Sequence, residues 1–212
     1  MSCYYAKLLR CDAREACHPC SQHSTAEIVQ TDREKWERRY SEDSGDLPEP
    51  DDFLVLHAHL LSCGRALDPA CGLGGNSVFL AERGYEVTAL DISYTALARL
   101  KDTARRRHLP IDCVVADLDY FPLPANAYDV AVVFYFFSER FIAALKQALR
   151  PRGLLFYATY NERHTSVRPT FNPAYLVAAD GLAVHFPDFE ILVHETWAGD
   201  QGNISQLIAR KM

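Results

Sequence analysis

Long apolar runs are missing from these 212 residues. The longest, Val130–Phe137, is far too short to cross a bilayer, so no membrane-spanning helix is expected. Excess positive charge is missing too. The net charge of −6 argues against general binding to a phosphate backbone, so nucleic acid is not an expected partner. The opening MSCYYAKLLRCDAREACH has no apolar core and carries acids, unlike a secretory signal, and a cytoplasmic location is expected. The seven cysteines are an odd set for a disulfide framework. Cys63, Cys71 and Cys113 lie in apolar or motif contexts, as buried thiols do, and a reducing compartment suits them. No repeat or low-complexity segment is present. With 49% hydrophobic and 24% charged residues, a chain of this length is ordinary for one globular domain with a full core.

Glycine is scarce, yet Gly72, Gly74 and Gly75 stand together inside GRALDPACGLGGNSVFLA. A short strand, Arg65–Asp68, ends in a carboxylate and runs into this turn. A helical pattern follows, with Val78, Phe79, Leu80 and Ala81 turning inward and Gly84 as its stop. Strand, glycine turn and helix together bring backbone close to a nucleotide-like ligand, where a Cβ would collide. One strand later, Tyr85–Leu90 alternates and ends at Asp91, an acid placed to accept from both ribose hydroxyls.

The turn lacks the last glycine of G-x-G-x-x-G, and Asp68 precedes it. A pyrophosphate would be repelled by that carboxylate, whereas a cationic amino group would be attracted. Both facts favour S-adenosylmethionine, with S-adenosylhomocysteine as product, over a dinucleotide.

LDPACGLGGNSVFLAERGYEVTALDIS resembles the first two motifs of class I S-adenosylmethionine-dependent methyltransferases. The likeness is to small members of the tellurite-resistance type, whose wording is LDLGCGxGxNxxFLAxxGxxVTAxDIS. It extends from about Trp36 to the C-terminus. Ala70 stands where that family has its first glycine, after Pro69. The resemblance implies that Asp68, Ala70, Gly72, Gly74 and Asn76 line the amino-acid end of the cofactor and that Asp91 and Ile92 hold the ribose. It implies that Asp117 meets the adenine amino group and the Leu118 N–H the ring. The physics agrees, since a carboxylate accepts from an exocyclic amine and a backbone donor meets a ring nitrogen. Capping a turn is the other reading of Asp117; its place at a strand's C-terminal edge, level with Asp68 and Asp91, favours the ligand. A helix over Asp32–Tyr40, capped by Thr31, carries Trp36 and Tyr40 on one face. The resemblance lays it over the cofactor as a cover, and core packing is compatible with that.

The remaining elements come in order. Residues 1–31 form an extension distinct from the 32–212 domain. Their Cys3, Cys11, Cys17 and Cys20 do not have the two-pair spacing of a structural zinc site, so no metal is expected. A loop over Ser41–Pro50 leads to a helix from Asp51 or Asp52 to about Ser62, on which His57 and His59 read as surface or packing residues. Ser93 caps a helix over Tyr94–Arg107, whose Arg99, Lys101 and Arg105–Arg107 read as a solvated face rather than an RNA contact. Strands follow at Ile111–Ala116, Val130–Phe136 and Leu154–Tyr160, the last after a Pro151-Arg152-Gly153 turn. Phe134 and Tyr135 end the middle one on opposite sides, as flank for the sulfonium or as core. Ser138 caps a helix over Glu139–Arg150. The insertion Asn161–Leu176, with a short helix from Phe171, is the expected lid, and it carries Arg163, His164, Arg168 and Tyr175. Phe189–Trp197 and Ile204–Met212 form a hairpin around Gly199–Asn203.

The expected fold is α/β, a Rossmann-like three-layer sandwich with a seven-stranded, mostly parallel sheet and a C-terminal antiparallel hairpin. The expected function is methyl transfer to a small-molecule substrate: a thiol, a metalloid oxyanion, or a small amine or hydroxyl. A thiol or metalloid needs no protein base; for an oxygen or nitrogen acceptor His164 is the candidate, and Tyr135 stands beside the reacting centre. Two alternatives stay open, a non-catalytic S-adenosylmethionine-binding protein and a nicotinamide-dependent oxidoreductase. Nucleic-acid methylation would want an N/D-P-P-Y/F motif where Phe134-Tyr135-Phe136-Phe137 stands.

Overall fold

A strand apolar on both faces must be covered on both sides. Tyr128–Phe134 is such a strand, almost wholly buried, and the sheet is built outward from it. The computed structural model describes residues 25–179, 181–199 and 202–212. Its strands are β1 (Gly64–Pro69), β2 (Tyr85–Asp91), β3 (Ile111–Val115), β4 (Tyr128–Phe134), β5 (Leu149–Tyr160), β6 (Phe189–Gly199) and β7 (Gly202–Lys211). They form one sheet in the order β3-β2-β1-β4-β5-β7-β6. β1 to β5 pair in parallel, and β7 runs antiparallel to both β5 and β6. The seven-stranded, mostly parallel sheet with its terminal hairpin is the one expected.

The helices are α1 (Thr25–Glu42), α2 (Asp52–Leu56), α3 (Gly75–Glu82), α4 (Tyr94–Arg107) and α5 (Glu139–Ala148). Strand periodicity splits the sheet's side chains between two cores. Ala66, Val130, Val132 and Phe156 meet Phe53 and Leu54 of α2 and Phe79 and Leu80 of α3. Leu67, Ala131, Val133 and Leu155 meet Phe141, Ile142 and Leu145 of α5 on the opposite face. Each fully buried Val, Leu, Ile or Phe among them contributes about 1.5–3 kcal/mol. Leu97 and Leu100 of α4 pack over Ala89.

Local signals set the helix ends. Ser93 Oγ accepts from Ala96 N, Ser138 Oγ accepts from Phe141 N, and Gly84 takes a left-handed φ of 88° past the end of α3. Other expectations are corrected. α1 begins at Thr25, not Thr31, so the apparent capping box lies inside the helix. The second helix ends at Leu56 and gives way to a 3₁₀ turn over Ala58–Leu60. β4 stops at Phe134, where Tyr135 leaves the strand at a φ of 57°. Pro151-Arg152-Gly153 is no separate turn. It lies inside β5, where the register jumps between the Tyr128–Leu149 and Val130–Leu154 pairs. The helix expected from Phe171 is a 3₁₀ turn, Pro173–Tyr175. The cysteines at 3, 11, 17 and 20 lie outside the described residues.

The strand order reverses between β1 and β4, which opens a crevice at the strands' C-terminal ends.

Candidate active site

Asp68 and Asp91 end neighbouring parallel strands, with Asp68 paired in register to Ala89. Both carboxylates are buried. Asp68 Oδ2 accepts from Ser77 Oγ at 2.6 Å. Burial pushes its carboxyl up to about 7, the Ser77 bond opposes this, and Asp91 adds to it. Asp91 is also raised by burial, against bonds from the Ser93 and Gly72 N–H groups at 2.9 and 2.8 Å. Asp91 therefore clamps the glycine turn to the end of β2.

The turn is crowded by the protein itself. A Cβ on Gly72 would lie 2.6 Å from Tyr40 Oη, and one on Gly75 would lie 2.4 Å from the Pro48 carbonyl. Glycine is needed here because α1 and the following loop press onto the turn, before any ligand is considered. Ala70 adopts a φ of 54° without glycine's freedom.

Glu37 pins α1 in place, and nothing local in the sequence marked it. Its carboxylate accepts from Ser93 Oγ at 2.7 Å and Thr95 N at 3.1 Å, and also from Thr95 Oγ1. Those bonds hold its carboxyl below the usual range. Trp36 and Tyr40 stack with ring centroids 5.9 Å apart. Burial and the nearby Asp91 push the Tyr40 phenol well above its ordinary pKa. Arg99 is no solvated cation. It donates to the carbonyls of Asp43 at 2.7 Å and Tyr40 at 3.4 Å, and also to that of Gly45, tying the end of α1 to α4.

Asn76 is engaged by protein: its Oδ1 accepts from Asp51 N at 2.8 Å. Ile92 and Ser93 follow Asp91 into α4. Asp117 stands two residues beyond β3, just after Ala116, whose N–H donates to the Asp91 carbonyl at 2.9 Å. One of its carboxylate oxygens accepts from Asp119 N at 3.1 Å, so it does shape a turn. Leu118 beside it is buried.

The β4 and β5 ends are aromatic. Phe134 is buried in the core, while Tyr135 is 48% exposed. Tyr135 Oη donates to Asp51 Oδ2 at 3.0 Å, and burial followed by the Asp51 charge raises its phenol pKa. Its ring meets Tyr160 at 5.3 Å, and Tyr160 stacks on His164 at 4.1 Å. Asp51 and Tyr160 were missed as rim residues, since only the fold brings them to Tyr135. His57 is a packing residue, its ring edge-on to Phe53 and its Nδ1 3.0 Å from the Phe53 carbonyl.

Residues 66–153 match the protein family described as a methyltransferase domain. Over these residues the chain shares the motifs and the fold of class I methyltransferase domains. The likeness to the tellurite-resistance type is met as well. The chain is 33% identical over 89 residues to a Haemophilus influenzae protein named as a probable S-adenosyl-L-methionine-dependent methyltransferase TehB, covering 41% of this chain and 31% of that one. It is 31% identical over 143 residues to hemagglutinin 1 of Eikenella corrodens, covering 64% of this chain and 47% of that protein. The chain thus spans less than half the length of both relatives. The crystal structure of TehB from Haemophilus influenzae has the same fold, with a TM-score of 0.66 and 23% identity over 84% of this chain and 67% of that one.

The buried Asp68 carboxyl has its pKa raised to about 7 by desolvation, the kind of cost that a paired cation offsets. Among the described residues no helix is long and apolar enough to cross a membrane.

Proposed function

We propose that this protein transfers a methyl group from S-adenosylmethionine to a small-molecule acceptor. The observation that carries the reading is the desolvated Asp68 beside the glycine turn, one strand from Asp91. Asp68 would pair with the amino group and the turn's backbone would cradle the carboxylate. Asp91 would bind the ribose with its remaining lone pairs, Asp117 and the Leu118 N–H the adenine, and Trp36 and Tyr40 would cover the ligand. When bound, S-adenosylmethionine supplies an electrophilic methyl group. The chain's work is then to position the acceptor and exclude water.

Tyr135 stands where β4 ends, its phenol kept protonated by burial and by Asp51, so it serves as a donor and not as a base. An oxygen or nitrogen acceptor sheds a proton as it is methylated. His164, kept neutral by burial and by the Arg168 charge, is the group able to take it.

Calorimetry with S-adenosylhomocysteine and with NAD tests the cofactor, and only the first is expected to bind. Isotopic methyl transfer to thiols, selenite, tellurite, amines and phenols tests the reaction. Binding with no transfer to any acceptor would leave a cofactor-binding protein without catalysis.

A further inference from the structure

Among the described residues one buried side chain has polar atoms and no partner for them. Neither His164 Nδ1 nor Nε2 makes a hydrogen bond, and the residue is 1% exposed. Such a group is costly to bury and wants an explanation. Its ring lies nearly parallel to Tyr160, at 4.1 Å and 28°, and edge-on to Phe171, at 4.8 Å and 88°.

The two sides of this slot are held differently. The backbone around His164 is pinned to the sheet: Asn203 Nδ2 donates to the Arg163 carbonyl at 3.0 Å, and Asn161 Nδ2 to Ser205 Oγ at 3.2 Å. Phe171 sits between that anchor and a second, Tyr175 Oη, which donates to Asp32 of α1. The Phe171 N–H reaches only the Arg168 carbonyl three residues back, at 3.0 Å, and the residues flanking it are exposed. The backbone at Phe171 is thus tied by fewer hydrogen bonds than that at His164.

We propose that a planar aromatic acceptor bearing a hydroxyl group or ring nitrogen takes the place of Phe171 against Tyr160 and hydrogen-bonds to His164. This rests on the methyl-transfer reading and narrows its acceptor. A ring in the place of Phe171 would renew its edge-on contacts with Tyr160 and His164, and such ring pairs add to simple burial. A neutral imidazole offers one donor and one acceptor, matched to a hydroxyl or a ring nitrogen. A compact oxyanion or an aliphatic thiol would leave those ring contacts unmade. The Tyr135 ring is 5.3 Å from that of Tyr160, so an acceptor seated against Tyr160 would lie near the end of β4.

The test uses the full chain with 2-naphthol and 4-hydroxyquinoline as flat probes, and selenite and 2-mercaptoethanol as contrasts. Probe binding is followed by fluorescence, transfer by isotope, and cofactor binding by calorimetry with S-adenosylhomocysteine. His164→Phe keeps a flat ring and removes the idle nitrogens. It should raise the melting temperature, weaken probe binding about five- to tenfold, and leave S-adenosylhomocysteine affinity unchanged. Phe171→Ala should tighten probe binding severalfold by emptying the slot. A lower melting temperature for His164→Phe with unchanged probe affinity would mark the histidine as structural and overturn the proposal. So would failure of both flat probes to bind at millimolar concentration while cofactor still binds. Flat probes that bind without any cofactor affinity would keep the slot and overturn the methyl-transfer reading.

Discussion

The two halves of the sheet's C-terminal rim handle buried polar groups in opposite ways. On the β1–β2 side, Asp68 and Asp91 are buried but bonded, to Ser77, Gly72 and Ser93. On the β5 side, His164 is buried among rings and bonded to nothing. The first half carries charge that a partner of opposite sign would complete. The second carries dipoles that a neutral partner would complete. On the proposed reading, one rim separates a part suited to a cation from a part suited to a flat, uncharged ring.

The largest effect expected from breaking this contrast is at Asp68. Asp68→Asn keeps a group for Ser77 and removes the charge. Affinity for S-adenosylhomocysteine should fall by about 2–5 kcal/mol, the scale of truncating one member of a buried charged pair. The unliganded variant should be no less stable than the parent at pH 8, because the carboxylate there is desolvated. Calorimetry and thermal melts read both quantities. Loss of stability with unchanged affinity would make Asp68 a framework residue.

Folding raises the Asp68 pKa from the usual carboxylate range to about 7. Its protonated form therefore stabilises the fold fully below the unfolded value, and that contribution is lost as pH rises through about 7. The difference in unfolding free energy between parent and Asp68→Asn should accordingly shrink against the parent by on the order of 3–4 kcal/mol between pH 4 and pH 8. Glu37, Asp129 and Asp188 are all lowered, so their contributions go the other way and are lost toward acid. Taking the difference between the two proteins cancels them. Ligand binding should tighten with pH across the same window and release a proton, seen as a buffer-dependent heat.

The contrast between the two halves also explains what was legible beforehand. Caps at Ser93 and Ser138, the stop at Gly84 and the acids at the ends of β1 and β2 are written in a few adjacent residues, and each stands where expected. Tyr135 leaving β4, Asp51 meeting its hydroxyl and His164 left unpartnered depend on chain segments far apart. Tyr135 and Asp51, for example, are separated by 84 positions. Apolar periodicity could not tell Val133 from Tyr135, because what ends the strand is a backbone turn to positive φ. Local chemistry names the nucleoside half; only tertiary packing assembles the acceptor half.

Glu37 offers a smaller perturbation of the nucleoside half alone. Glu37→Gln retains size but weakens bonds to Ser93 and Thr95, a change of about 1–2 kcal/mol for bonds to a charged group that is partly solvated. Urea unfolding should show that loss, and hydrogen exchange should quicken in α1 while β4 and β5 are unaffected. Affinity for flat probes should stay constant. If exchange in α1 is unchanged, the helix is held by Arg99 and the aromatic stack instead.

The smallest effect is a gain. Ala70 and Gly72 share a φ of 54°. An alanine held there is strained by roughly 1–2 kcal/mol, while glycine adds about 0.5–1 kcal/mol of unfolded-state entropy to be lost on folding. The Ala70 methyl also packs on the α5-side core, which trims the benefit. Ala70→Gly should therefore stabilise by only about 0.5 kcal/mol, a rise in melting temperature of roughly 1–2 °C for a chain of this size. Gly72→Ala reverses the sign at the same φ, because its Cβ would stand 2.6 Å from Tyr40 Oη and push α1 off the turn. Two neighbours with one backbone conformation then respond oppositely, and the difference is the helix lying over one of them. Equal destabilisation by both substitutions would mean that contact with the core, and not backbone strain, governs the turn.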